Sequence, residues 1–276
     1  MVKIIFHTVR YMNWLFSAAI IACMFSTPSL ALSALEKSEA SIGSSLPNYR
    51  LVNQNGNFFA LHSLKGNPVL INYIFTDCHG PCLMISGSVK RVKESINPSI
   101  AGNIYFLSIS IDILNDTPPL LKEYGESFTD DFDNWIFASM DAQTLERITN
   151  KMGFRFEKTD SGYEHMNRLT LIGPDSKIAK HFYGVKFDPV TVEEAIIATM
   201  EGRTVKNTFA DTISQALTYC SNYDPVTNTY KIDYGLIISS LIQYLLVAGT
   251  VIYIFRKRLS SFASRYFKHG EDVVQR

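Results

Sequence analysis

Two uncharged, predominantly apolar runs, residues 14–25 and 235–255, bracket a middle in which apolar positions come in short strand- and helix-length groups. In that middle, 49–52 and 58–61 are β-favouring segments on either side of Asn53-Gln54-Asn55-Gly56-Asn57, and Asn-Gly is a strong hairpin turn signal. Residues 69–75 form a continuous apolar run that predicts a buried strand. A helix is expected over 86–96, with Val89, Val92 and Ile96 on one face, stopped by Asn97-Pro98. A second apolar strand follows over 103–112, and strand, helix, strand in this order predicts a right-handed parallel βαβ unit. Thr117 as cap and Pro118 at the first position open another helix ending near Phe128. After the acidic loop 130–134 come a short strand at 135–138, a helix over 142–152 closed by Gly153, a strand at 168–172, the turn Gly173-Pro174-Asp175 and a partner strand at 177–182. A helix over 192–202, amphipathic through Ala195, Ile196 and Thr199, ends the series.

This order predicts an α/β protein, a mixed sheet with helices on both faces. The first central strand runs into Cys78 and Cys82, with His79, Gly80 and Pro81 between them. A cysteine pair at that place makes the arrangement look like the thioredoxin fold. The mouth of the following helix offers free N–H groups and a positive dipole end, which favour thiolate over thiol. Such a loop binds a soft metal ion or exchanges disulfides.

The ends change the picture from a free domain to an attached one. Lys3 and Arg10 precede the first apolar run and small residues follow it, the layout of a secretory signal with cleavage after Ala31. Ile20-Ile21-Ala22-Cys23 also fits a bacterial lipobox, and an uncleaved anchor is a third reading. The run at 235–255 has no charged residue, spans about 30 Å as a helix, and is followed by Arg256-Lys257-Arg258. The expected organisation is therefore a signal or anchor at 1–34, a linker at 35–47, a thioredoxin-like domain at 48–203, a connector at 204–234, a transmembrane helix at 235–255 and a basic cytoplasmic tail at 256–276. The domain would sit on the extracytoplasmic side of a bacterial cytoplasmic membrane.

Charge excludes one class. Of 276 residues, 26 are Lys or Arg and 26 Asp or Glu, a formal net charge of +0, so a nucleic-acid partner is not expected. Four cysteines are too few for a disulfide framework, and one close pair in a cysteine-poor exported domain reads as functional.

Three features in order carry a resemblance: the Cys-x₃-Cys spacing of Cys78 and Cys82, the loop Ser110-Ile111-Asp112-Ile113-Leu114-Asn115-Asp116-Thr117-Pro118, and His165 in Glu164-His165-Met166-Asn167-Arg168 just before a strand. Together they resemble the Sco/SenC family, membrane-attached proteins that handle copper for cytochrome c oxidase assembly. The resemblance covers about residues 46–202. It implies copper, Cu(I) or Cu(II), on Cys78, Cys82 and His165. The implied partner is the oxidase subunit carrying the binuclear copper site, along with other copper chaperones or thiol reductases. Thiolate suits Cu(I), and imidazole suits copper in either state. Asp112 or Asp116 would act as acceptors behind the ligands. The chain departs from the family where His79 and Leu83 follow the cysteines and Ile113 follows Asp112. His79 is a fourth ligand or a solvated loop residue. Cys220, before Ser221-Asn222-Tyr223-Asp224-Pro225, pairs transiently with Cys78 or Cys82 or stays a lone thiol. Two functions follow: a copper-delivery protein, which binds and donates, or a thiol–disulfide oxidoreductase in which Cys78 and Cys82 are the redox pair. A peroxidase would want a Thr or Ser and a Pro ahead of the reactive cysteine, and only Thr76 is near.

Overall fold

The computed structural model describes residues 29–78, 80–159, 162–205, 221–224 and 229–232, with 235, 238, 239, 241–250 and 253 near the C-terminus. The chain divides into two units, 29–232 and 1–28 with 233–276. In the first, α1 (Ser29–Ala40) is followed by β1 (Arg50–Asn53), β2 (Phe58–Ala60), β3 (Val69–Ile74), α2 (Pro81–Ser95), the short α3 (Pro98–Ala101), β4 (Tyr105–Ser110), α4 (Pro118–Glu126), β5 (Trp135–Ser139), α5 (Ala142–Lys151), β6 (Phe156–Thr159), β7 (Gly162–His165), β8 (Arg168–Ile172), β9 (Ile178–Tyr183), α6 (Pro189–Met200), and the antiparallel pair β10 (Ser221–Asp224) and β11 (Thr229–Ile232).

Seven strands form one sheet in the order β2-β1-β5-β4-β3-β8-β9. β3 is parallel to β4, with Ile71 opposite Leu107, and β4 is parallel to β5. β8 runs antiparallel to β3, and β1 antiparallel to β5. All six residues of β3 are buried, as its largely apolar run requires, with Asn72 accepting from Ser108 Oγ at 2.9 Å. Its side chains alternate between two cores. Val69, Ile71 and Tyr73 face Leu145, Ile148 and Met152 of the α5 side. Leu70 and Ile74 face Ile85, Val89 and Val92 of α2 and Val192 and Ile196 of α6. The mixed sheet flanked by helices is the thioredoxin-like arrangement.

Helix starts follow cap chemistry at α5 and α6, as at the short α3, where Asn97 Oδ1 accepts from the Ser99 N–H at 3.0 Å. The side chain of Asp141 accepts from the Thr144 N–H at 2.9 Å, and that of Asp188 from the Thr191 N–H at 3.0 Å. Pro118 opens α4 as expected, whereas the Thr117 side chain makes no cap bond.

α1 runs from the end of the expected signal segment into the stretch expected as a linker, and buries hydroxyl side chains there. Ser38 and Ser41 lie at 0% and 6% exposure. Arg168 of β8, 1% exposed, donates to Ser38 Oγ, to the Met152 carbonyl at 2.7 Å and to the Gly153 carbonyl at 3.4 Å. The Ser38 hydroxyl meets Tyr183 Oη at 2.8 Å, and Tyr183 donates to Glu39 at 2.6 Å. His181 Nε2 reaches the Ser38 carbonyl and Ser41 Oγ, both at 3.0 Å, while Nδ1 meets Thr170 Oγ1 at 2.9 Å. Gly153, at φ +58°, lets α1 approach; a Cβ there would stand 2.3 Å from the Lys37 carbonyl oxygen. A pattern search misses this helix because it docks through hydroxyls rather than through an apolar stripe.

His181 gives that network a pH dependence. Burial, reinforced by the Arg168 charge, holds the imidazole well below its ordinary range, against the Ser38 carbonyl. Below pH of about 6.5 the unfolded chain binds a proton that the folded chain refuses, so stability falls with pH from there at up to about 1.4 kcal/mol per pH unit. Urea midpoints measured from pH 7 down to pH 5 should drop accordingly. His181→Gln, though less stable at pH 7, should flatten the slope, with a smaller residue left by His165. An unchanged slope in that variant would remove His181 as its source.

Among the described residues no helix is long and apolar enough to cross a membrane. Residues 241–250 are helical, but other parts of the expected 235–255 span lie outside the described residues. So do residues 1–28 with Cys23, most of the connector, Cys220 and the basic tail.

Candidate metal centre

The cysteine loop leaves β3 at the carboxyl end of the sheet's parallel strands. The Cys78 N–H donates to the Phe75 carbonyl at 3.3 Å, and Pro81 and Cys82 are the first two residues of α2. Helix entry is thus five residues earlier than the sequence pattern suggests, because Pro81 with its fixed φ suits a first helical position. Both thiols are buried, 6% exposed at Cys78 and 0% at Cys82, within the core that holds Tyr73, Phe75 and Phe154. Neither forms a disulfide. Burial pushes the Cys82 thiol well up, and the adjoining Cys78 adds to this through a hydrogen bond and its charge. Backbone N–H groups of Phe75 and Cys82 pull the other way and lose. The expectation that the helix mouth favours thiolate fails at Cys82: desolvation is the larger effect.

His165 arrives on a separate piece of structure. β6 and β7 pair only with each other, Phe156 opposite His165 and Lys158 opposite Tyr163, in a two-stranded sheet apart from the main one. The hairpin carries the imidazole to Cys82, with Nε2 3.9 Å from Sγ. Nδ1 lies 3.3 Å from the Met166 carbonyl, so the Nδ1 proton donates there and the Nε2 lone pair faces the thiol. Burial holds this imidazole below its ordinary range, against the Met166 carbonyl, which keeps it neutral and able to ligate. The Phe154 ring packs 5.7 Å away.

The donors fit a small metal ion. Metal–sulfur and metal–imidazole bonds of about 2.3 and 2.0 Å, the lengths typical of zinc, meeting at about 120° set S and N about 3.7 Å apart. The observed 3.9 Å is close to that and is also a hydrogen-bonding distance for sulfur. Cys78, hydrogen-bonded to Cys82, supplies a second sulfur beside the pair. Among the described residues no three His, Cys, Asp or Glu side chains stand close enough together to hold a metal ion, so Cys82 and His165 meet as a pair here and Cys78 has to move to complete a three-donor site.

The two aspartates hold the segments that carry the donors. Asp116 accepts from Thr76 twice over, from its N–H at 3.1 Å and its hydroxyl at 2.6 Å, and from Ser110 Oγ at 2.6 Å. Burial raises its carboxyl, while these hydrogen bonds oppose. Asp112 accepts from Asn115 Nδ2 at 2.8 Å and from Tyr163 Oη at 3.1 Å. Tyr163 also packs on Phe75, centroids 5.4 Å apart. Nothing in the sequence pattern marks Tyr163. His79 lies outside the described residues. His62 donates from its ring to the Leu46 carbonyl at 2.9 Å, a purely local contact.

A buried dithiol at the end of a central strand, met by a neutral imidazole from a neighbouring hairpin, defines a thioredoxin-like protein built around a soft donor set. The sequence signature of the SCO1/SenC family matches residues 38–201, and the chain belongs to that family. It is 30% identical over 141 residues to the SCO1 protein homolog of Bacillus subtilis, covering 50% of this chain and 72% of the relative. Among solved structures it is similar to a SCO1/SenC family lipoprotein from Bacillus anthracis, with a TM-score of 0.51 and 23% identity over 58% of this chain and 95% of that one. Copper-bound yeast Sco1 has the same fold, with a TM-score of 0.50 and 19% identity over 61% of this chain and 93% of that one.

Proposed function

We propose that this protein binds copper through Cys78, Cys82 and His165 and supplies it to the binuclear copper centre of cytochrome c oxidase. The approach of the His165 ring to Cys82 carries the reading. A dithiol alone would serve redox exchange; an imidazole with its free nitrogen turned to the sulfur adds a ligand that exchange does not need. Copper would displace the thiol protons on binding and bring the soft-ligand chemistry its ions prefer. Membership of the SCO1/SenC family supports the link to oxidase assembly. The apolar runs at 14–25 and 235–255 support attachment to a bacterial cytoplasmic membrane with the domain outside the cytoplasm.

The second reading, a thiol–disulfide oxidoreductase, draws on the contact between Cys78 and Cys82. In it, a thiolate of the pair would attack a client disulfide, and the second cysteine would release the client as a dithiol, leaving Cys78 and Cys82 joined.

Anaerobic Cu(I) titration of the full-length protein tests the proposal. Wild type should take up about one equivalent tightly, and Cys78→Ser/Cys82→Ser none, since thiolate is the ligand that selects Cu(I). Uptake by the double variant equal to wild type would sink it.

A further inference from the structure

We propose that Tyr163 is a positioning residue whose hydroxyl, bonded to Asp112, latches the β6–β7 hairpin so that His165 faces Cys82. The inference rests on the copper reading and adds to it the element that fixes the third donor. The hairpin has no strand partner in the seven-stranded sheet, so sheet hydrogen bonds do not set its place. Side chains must do so. Tyr163 Oη donates to Asp112 at 3.1 Å, and the Tyr163 ring packs on Phe75, the residue that follows β3. Gly162, at φ +122°, fits the hairpin against the same Phe75, whose ring would lie 3.1 Å from an added Cβ. His165 follows Tyr163 by two residues on the same strand, so both side chains project from one face of β7.

Asp112 is the informative partner. It belongs to the loop in which Asp116 receives the N–H and hydroxyl of Thr76, two residues before Cys78. The loop joins the two halves of the donor set: Asp116 holds the cysteine segment and Asp112 the histidine segment. The Asp112 and Asp116 N–H groups bond to Ser110 Oγ at 3.1 Å and the Asp112 carbonyl at 2.8 Å, so the two carboxylates are set in one folded turn. A hydrogen bond to a carboxylate is stronger than one between neutral groups and fixes direction as well as distance.

The test uses the full-length protein, anaerobic Cu(I) competition against a colorimetric Cu(I) chelator, and electron paramagnetic resonance of the Cu(II) form. Tyr163→Phe keeps the ring on Phe75 and removes only the hydroxyl. It should weaken Cu(I) binding about tenfold, the low end for a partner behind a metal ligand, and diminish the imidazole nitrogen hyperfine pattern. In a His165→Ala background the same change should cost nothing more, since the latch acts through that ring. A Tyr163→Phe protein with wild-type affinity and hyperfine pattern overturns the latch. Equal weakening with and without His165 overturns it too, by showing that the effect bypasses the imidazole. If His165→Ala itself binds Cu(I) like wild type, the ligand set fails and the latch with it, whereas the cysteine titration reports on copper binding separately.

Discussion

His165→Ala should lose Cu(I) affinity by more than about 100-fold, beyond the effect of changing an outer partner, while the Cys78–Cys82 pair should still oxidise and reduce. The ring is half-buried beside Phe154 and makes one polar contact besides Cys82, the Met166 carbonyl, so its removal leaves little else unsatisfied. Two sulfurs remain for a soft ion, but an open position replaces the third donor, and competing thiols outside the protein can take it. Chelator competition measures the first effect. Titration of the dithiol against a glutathione couple measures the second. Unaltered affinity would leave a plain dithiol switch; collapse of the redox couple along with affinity would mean that His165 holds the fold rather than the metal.

Arg168→Ala carries the largest expected cost in stability. Three acceptors, Ser38 Oγ and the carbonyls of Met152 and Gly153, each lose one donor in a buried setting, although Ser38 keeps Tyr183 and Met152 keeps Ser41, and the side chain leaves a cavity. Removing partners from buried groups costs about 1–3 kcal/mol each, and truncating a large buried side chain adds to that. A total of about 3 kcal/mol or more lowers the melting temperature of a domain of this size by about 6–12 °C. The guanidinium also sits 5.3 Å from the Phe154 centroid, and Phe154 stacks on Tyr73 at 3.8 Å and neighbours His165. Arg168→Lys should fall between, keeping a charge but not the fork that reaches several acceptors. Melting within a degree or two of wild type for the alanine variant would show that α1 is held by other means.

The parts of the fold that face apolar cores on both sides could be read directly. β3 and β4 are largely apolar runs because both their faces are covered, and β8, which also carries Arg168 and Thr170, is found at Arg168–Ile172 as expected. The hairpin at β1 and β2 follows from Asn55-Gly56, with Gly56 at φ +79°. The β6–β7 hairpin escapes because FEKT and GYEH are half-exposed, charged and too short to show a period. α1 escapes because it is held through Ser38, and through Ser41 just beyond its end, rather than through an apolar stripe. Arg168 and His181 look like surface residues in the sequence; only tertiary partners 130 and 143 residues away, both Ser38, bury them. The meeting of Cys82 with His165 was legible only through family resemblance, since 83 residues separate them. The raised Cys82 thiol was not legible, because a helix mouth and a buried core argue in opposite directions and sequence does not weigh them.

The hairpin between α5 and β8 is an excursion from a sheet that is complete without it. Scaffold and third donor are therefore separable inheritances: mutation can lengthen, shorten or re-aim the excursion while the strands beneath keep their register. Selection could tune how firmly such a protein grips its ion, or strip it back to a bare dithiol, without having to solve the folding problem again.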